Sequence, residues 1–180
     1  MKQTIAFFTL CTVLASSALA AEEITVNYLY EGTVRADFSN MSRGPMKVGE
    51  FTDSRGGNPN LIAEGYEADQ PLAAIVRDAL VQGLENGKAA LVDSGENVTL
   101  AGSIESTQVQ LVDNNGVSSI QVTIRTRVQL QGSGRTIWET VLFGRGTAPE
   151  SEGMAKAVTD AMDRTIRSLV QDDYFLIEVL

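Results

Sequence analysis

From Ile120 to Leu130 every second residue is apolar or a threonine: Ile120, Val122, Ile124, Thr126, Val128 and Leu130. Gln121, Thr123, Arg125, Arg127 and Gln129 fill the positions between. A period of two sustained over this length fits a β-strand with one face on a core and the other in water. Asp113-Asn114-Asn115-Gly116 precedes it and Gln131-Gly132-Ser133-Gly134 follows it, and both runs carry turn chemistry. The strand is therefore the middle of a three-strand meander. In the segment before it, Asn97 to Asp113, Val98, Leu100, Gly102 and Ile104 share one face. The phase then shifts so that Val109 and Leu111 point inward, which predicts a bulge near Ser106. In the segment after it, Thr136 to Thr147, Ile137, Val141 and Phe143 alternate with Trp138, Thr140 and Leu142. Apolar groups on both faces predict a central place in the sheet.

Two helices offer the surface that such a face needs. Leu72, Ile75, Val76, Ala79, Leu80, Gly83 and Leu84 follow the i, i+3, i+4, i+7 spacing, with Arg77, Asp78, Gln82 and Glu85 opposite. Asp69 is placed to cap this helix, Pro71 fits its first turn, and Gly87 can end it in the left-handed conformation. In the second helix, capped by Ser151, the stripe is Met154, Ala157, Val158, Ala161, Met162, Thr165, Leu169 and Val170. Upstream, Ile24 to Tyr30 and Met46 to Thr52 alternate as strands, and Asp53 to Asp69 is a loop dense in Gly, Asn and Asp. Loops of that length without regular structure are more often functional than connecting. Tyr174 to Leu180 is apolar enough to dock on the domain. The order predicts an α+β fold: a two-layer sandwich whose mainly antiparallel sheet carries the meander, covered on one face by two helices.

The N-terminus reads as a signal peptide. Lys2 is followed by an apolar run, Ile5 to Leu14, too short for a membrane span of roughly 20 residues. Ala18-Leu19-Ala20 has the small-x-small pattern of a cleavage site, so 1–20 is expected to be removed and 21–180 to form a single α+β domain. Cys11 sits inside the apolar run, after Phe8-Thr9-Leu10 instead of the small residues of a lipobox. It leaves with the signal, and the chain has no other cysteine and no histidine. Disulfides, thiolate nucleophiles, Ser-His-Asp triads and the commonest zinc and copper sites are then excluded from the mature domain. A net charge of -9 argues against nucleic acid, whose phosphates require basic surface. No cofactor motif is present and none is expected.

Candidate site residues concentrate in the long loop. Arg55 could clamp a carboxylate or phosphate and Asp53 could accept hydrogen bonds, with Asn58 and Tyr66 as further ligand or partner contacts. The commoner alternative has Asp53 ending a strand and bonding local backbone N–H groups, with Arg55 solvated. Arg125 and Arg127 on the wet face fit a cross-strand charge pattern with Glu105. Asp172 and Asp173 make a poor calcium site without further oxygen ligands. Gly56-Gly57 lacks the strand-to-helix spacing and Lys-Ser/Thr pair of a phosphate loop. Asn40-Met41-Ser42 and Asn97-Val98-Thr99 fit the glycosylation sequon, which matters only in a eukaryotic secretory route.

The run Val48-Gly49-Glu50-Phe51-Thr52-Asp53-Ser54-Arg55, then Asn58-Pro59-Asn60-Leu61-Ile62, the first helix, the Leu100 to Ile104 strand and Asp172-Asp173-Tyr174-Phe175-Leu176 together resemble the YajG-type bacterial lipoproteins. The resemblance implies a small protein of the Gram-negative envelope with a non-enzymatic role. The sequence departs from that family at the lipoprotein cysteine, so the mature chain is expected in the periplasm without a lipid anchor. The leading expectation is a binding or scaffolding protein whose partner is another envelope protein, with contact to the outer membrane at most peripheral. An auxiliary component of a lipid or solute transport system comes next, and a hydrolase relying on carboxylates alone comes last.

Overall fold

The computed structural model describes residues 21–180. The expected signal sequence, Cys11 included, lies outside the described residues. These fold into strands β1 (Glu22–Ile24), β2 (Met46–Asp53), β3 (Leu61–Ala63) and β4 (Tyr66–Ala68), helix α1 (Leu72–Asn86), strands β5 (Val98–Asn114), β6 (Val117–Gly132) and β7 (Arg135–Pro149), and helices α2 (Gly153–Val170) and α3 (Asp173–Val179). The main sheet has the order β2-β5-β6-β7. Its β5-β6-β7 part is the antiparallel meander, and β2 adds to β5 in parallel through the α1 crossover. A second, small sheet has the order β1-β4-β3. The architecture is α+β with no closed barrel: α1 and α2 contact each other and cover one face of the main sheet, α1 over β2 and β5, α2 over β6 and β7.

The core is the meeting of the periodic surfaces read from the sequence. Leu72, Ile75, Val76, Ala79, Leu80, Gly83 and Leu84 of α1 are buried, as are Met154, Ala157, Val158, Ala161, Met162, Thr165, Ile166, Leu169 and Val170 of α2. Opposite them lie Val122, Ile124, Val128 and Leu130 of β6, all without solvent exposure. The register of β5 against β6 slips between Ile104 and Ser106, where the bulge is expected. Thr126 sits among these apolar groups, and its buried hydroxyl has no hydrogen-bond partner. Leaving such a group unpaired costs about 1–3 kcal/mol. Thr126→Val, which keeps the shape and removes the hydroxyl, should raise the melting temperature by a few degrees, measured by circular dichroism.

Several expectations are corrected. The segment Ile24 to Tyr30 is not a strand: pairing stops at Ile24, and the chain then runs in extended form beside α1. Its backbone groups bond to side chains instead, Val26 N–H to Asp69 (3.2 Å), Tyr30 N–H to Gln82 (2.8 Å) and Val34 N–H to Asn86 (3.0 Å). Asp69 is thereby taken from its expected capping role, and α1 begins after Pro71 with no side-chain cap. Gly87 has φ of -79°, and Lys88 takes the left-handed conformation. Gly87 is needed for a different reason, since a Cβ there would lie 2.6 Å from the Phe38 ring. Ser151 belongs to a 3-10 turn, Glu150–Glu152, and does not cap α2.

The loop from Asp53 to Asp69 is not irregular throughout, because β3 and β4 form a hairpin inside it. β7 lies at the edge of the sheet, not at its centre. Both its faces are apolar for separate reasons: Trp138 is covered by α3, with its ring 5.0 Å from that of Phe175, whereas Phe143 faces solvent under Arg125. Leu111 is opposite core residue Ile120 but is 67% exposed, since the β5-β6 hairpin there extends past the helices.

Candidate functional site

Of the four loop candidates, the structure brings Asp53 and Arg55 into direct contact. Asp53 ends β2 and accepts both the Arg55 backbone N–H (3.0 Å) and its guanidinium, Nε to Oδ1 at 2.9 Å and Nη2 to Oδ2 at 2.5 Å. The remaining guanidinium donors reach the Leu61 carbonyl (2.5 Å), the Thr107 hydroxyl (3.0 Å) and the Pro59 carbonyl (3.4 Å). Arg55 is thus neither solvated nor presented to a ligand. It fastens the loop to β5, with its rigid fork filled by internal acceptors. Asn58 is exposed and accepts the Asn60 N–H at 2.9 Å, a local turn bond. Tyr66 lies in β4, half-buried against the core, paired with Ala63 and Glu22.

The Arg55 guanidinium holds the Asp53 carboxyl below its ordinary value, against an opposing contribution from burial. A depressed carboxylate stabilises the fold above its unfolded value near 3.9, and that contribution is lost as pH falls through the folded value. Asp53→Asn should therefore lower stability at pH 7 while flattening its decline below about pH 4. Urea denaturation across that range measures both effects.

The other concentration of functional groups is the sheet face that no helix covers. Arg127 on β6 donates to Glu105 on β5 (Nη2 to Oε1, 2.6 Å) and to Glu139 on β7, so one guanidinium spans three strands. The second arginine of this face, Arg125, stands 3.9 Å from Glu105. Gln129 donates to Glu139, which together with Arg127 lowers the Glu139 carboxyl from its ordinary value. Beside this polar ladder Phe143 is 48% exposed, with the Arg125 guanidinium 5.0 Å above its ring centroid. An open sheet face with an aromatic under a cation is suited to contacts with another macromolecule. The sequence reading placed Arg125, Arg127 and Glu105 here but missed Phe143 and Glu139. Register carried the missing signal: Phe143 pairs with Arg125, and Glu139 with Gln129, both wet-face residues. Asp172, considered for metal, instead caps α3 by accepting the Phe175 N–H (2.8 Å) and also accepts the Trp138 indole N–H (3.2 Å). No group of three or more carboxylates is placed to hold a metal ion among the described residues.

No family model and no curated protein matches the sequence. Solved structures do match. A protein of family DUF330 from Xanthomonas campestris is 16% identical, with a TM-score of 0.57 over 87% of this chain and 94% of that one. A minor lipoprotein from Acinetobacter baumannii has 9% identity and a TM-score of 0.47, covering 75% of this chain and 94% of its own. A hypothetical protein from Chlamydia trachomatis has 11% identity and a TM-score of 0.45, covering 72% of this chain and 94% of its own. Of these three, the DUF330 protein alone has a TM-score above 0.5. The chain shares the α+β fold of that DUF330 protein.

Proposed function

We propose that this chain is a non-enzymatic binding or scaffolding protein of the bacterial cell envelope, YajG-like in character, whose protein partner docks on the open face of the main sheet. The observation that carries the reading is Phe143, a large aromatic held half-exposed on a polar face beneath Arg125. Export to the periplasm rests on the signal-peptide reading of 1–20, and any outer-membrane association would be peripheral. The acidic balance of the chain disfavours nucleic acid and electrostatic binding to anionic membrane surfaces, and favours protein as the macromolecular partner. A hydrolase finds little support. Such an enzyme needs a carboxyl raised to act as general acid, and the described carboxyls with a resolved shift, Asp37, Asp53 and Glu139, are all lowered.

An auxiliary role in lipid or solute transport is the second reading. It is favoured by a cleft of about 810 Å³ between the extended N-terminal segment and helices α2 and α3. A pull-down from crosslinked envelopes separates the two. Discrete partner proteins recovered with the wild type and lost with Phe143→Glu support the open face; co-purifying lipid without protein supports transport. Glycan hydrolysis with neither would overturn both.

A further inference from the structure

The same cleft has chemistry that partner docking does not use. One wall is the extended segment with Tyr30, Thr33 and Arg35; the other is the end of α2 and the start of α3, with Arg167, Val170 and Leu176. The chain carries 14 basic against 23 acidic residues, so most arginines could be expected to find a carboxylate. Arg43, Arg55, Arg77, Arg125 and Arg127 do so. Arg35, Arg135, Arg145, Arg164 and Arg167 form no ion pair or side-chain hydrogen bond among the described residues, and of these Arg35 and Arg167, both solvent-exposed, line this cleft together with Asp163 and Asp173. Asp163 is engaged elsewhere, accepting the Tyr28 hydroxyl at 2.7 Å. Two guanidiniums left with open donors, facing a cleft of ligand size, present a site for an oxoanion.

Tyr30 completes the polar end. Its ring lies directly on Gly32, where a Cβ would come within 2.6 Å of the ring and its hydroxyl oxygen. The bare glycine thus leaves room for the ring in the wall. The Tyr30 hydroxyl, which burial and the nearby Asp163 charge raise above its ordinary value, is a hydrogen-bond donor in the neutral range as any tyrosine is. The lining also includes the apolar side chains of Ala36, Val170 and Leu176. The two carboxylates offset the two guanidiniums, so the cleft as a whole is formally neutral and suits a single negative charge better than a polyanion.

We propose that this cleft binds a monoanionic amphiphile, its carboxylate or phosphate group held by Arg35 and Arg167 and its apolar chain lying over Ala36, Val170 and Leu176. The proposal rests on the transport reading, which uses the same cleft, and is independent of partner docking, because Phe143 is on the opposite, open face of the sheet.

Isothermal titration of the signal-free protein with dodecanoate and with dodecyl phosphate, each below its micelle concentration, tests it. Acetate and inorganic phosphate serve as head-group controls. The expected result is saturable binding of at least one amphiphile, at least tenfold tighter than its head group alone. Arg167→Gln should weaken that binding about tenfold, which corresponds to losing one charge-assisted contact. Arg164→Gln, an exposed arginine of the same helix outside the cleft lining, should leave it unchanged. Preference for the carboxylate or the phosphate amphiphile identifies which source of the oxoanion the site takes. No binding of either amphiphile, or equal affinity in the two variants, overturns the proposal. Circular dichroism of each variant confirms that it is folded, and a normal pull-down through the open face leaves this conclusion untouched.

Discussion

Ile124→Asp should leave the domain without a cooperative thermal transition, whereas Arg125→Asp should melt within about 3 °C of the wild type, the range expected of a surface change. The two residues are neighbours in sequence and opposite in environment. Ile124 has no solvent exposure and faces the helices; the Arg125 side chain is 47% exposed on the open face. Truncating a buried isoleucine costs about 2–5 kcal/mol, and burying a carboxylate in its place adds several more. The sum rivals the whole stability of a domain this size, about 5–15 kcal/mol. At position 125 the losses are contacts to Glu105 and Phe143, both solvent-screened, and each is worth about 1 kcal/mol or less. Comparable melting of the two variants would mean that the faces of β6 are reversed.

Gly146→Ala should also destabilise the domain strongly, although it adds one methyl group. Gly144 and Gly146 lie on the inward face of β7 where α2 crosses it. A Cβ at position 146 would stand 2.0 Å from the Ala157 carbonyl oxygen and 2.4 Å from the Ala161 nitrogen. These are backbone atoms of a packed helix, so the clash cannot be relieved by turning a side chain. The helix must lift off the sheet, separating the Ala157, Val158 and Ala161 stripe from β6 and β7. Overpacking costs about 1–3 kcal/mol where side chains yield and more where backbone must move. A loss of about 10 °C in melting temperature is expected on the usual scale for a domain of this length. Gly49→Ala is the control, since the added Cβ would meet only a Thr99 methyl at 3.3 Å and the Leu100 carbonyl at 3.6 Å. Equal melting of the two alanine variants would mean that α2 does not rest on β7 at this distance.

Where local pattern and tertiary environment agree, the sequence was legible. The alternation of Ile120 to Leu130 placed both faces of β6 correctly, the stripes of α1 and α2 named nearly all their buried residues, and the phase shift near Ser106 located the bulge. Failures came where a long-range partner decided the outcome. Ile24 to Tyr30 has strand composition, but its backbone groups find Asp69 and Gln82, more than forty residues away, in place of a neighbouring strand. Trp138 and Phe143 made β7 look central because the sequence, which marks Tyr174 to Leu180 as a docking segment, does not say that it lies over Trp138 or that Arg125 stacks on Phe143. The candidate site divided along the same line. Asp53 at the end of β2 could be read from local turn chemistry. That Arg55 spends its donors on Pro59, Leu61 and Thr107 could not, since Thr107 is brought there by the sheet. The cleft between the extended segment and the α2-α3 corner was equally invisible, because it exists only once Tyr30 and Arg167 face each other across it.

A photoreactive residue, p-benzoylphenylalanine, placed at position 143 in living cells probes the proposed docking face directly. The expected result is a discrete covalent adduct with an envelope protein on irradiation, absent when the same residue replaces Asn115 at the exposed β5-β6 turn. Adducts of equal yield at both positions, or none at position 143, would contradict docking on the open face.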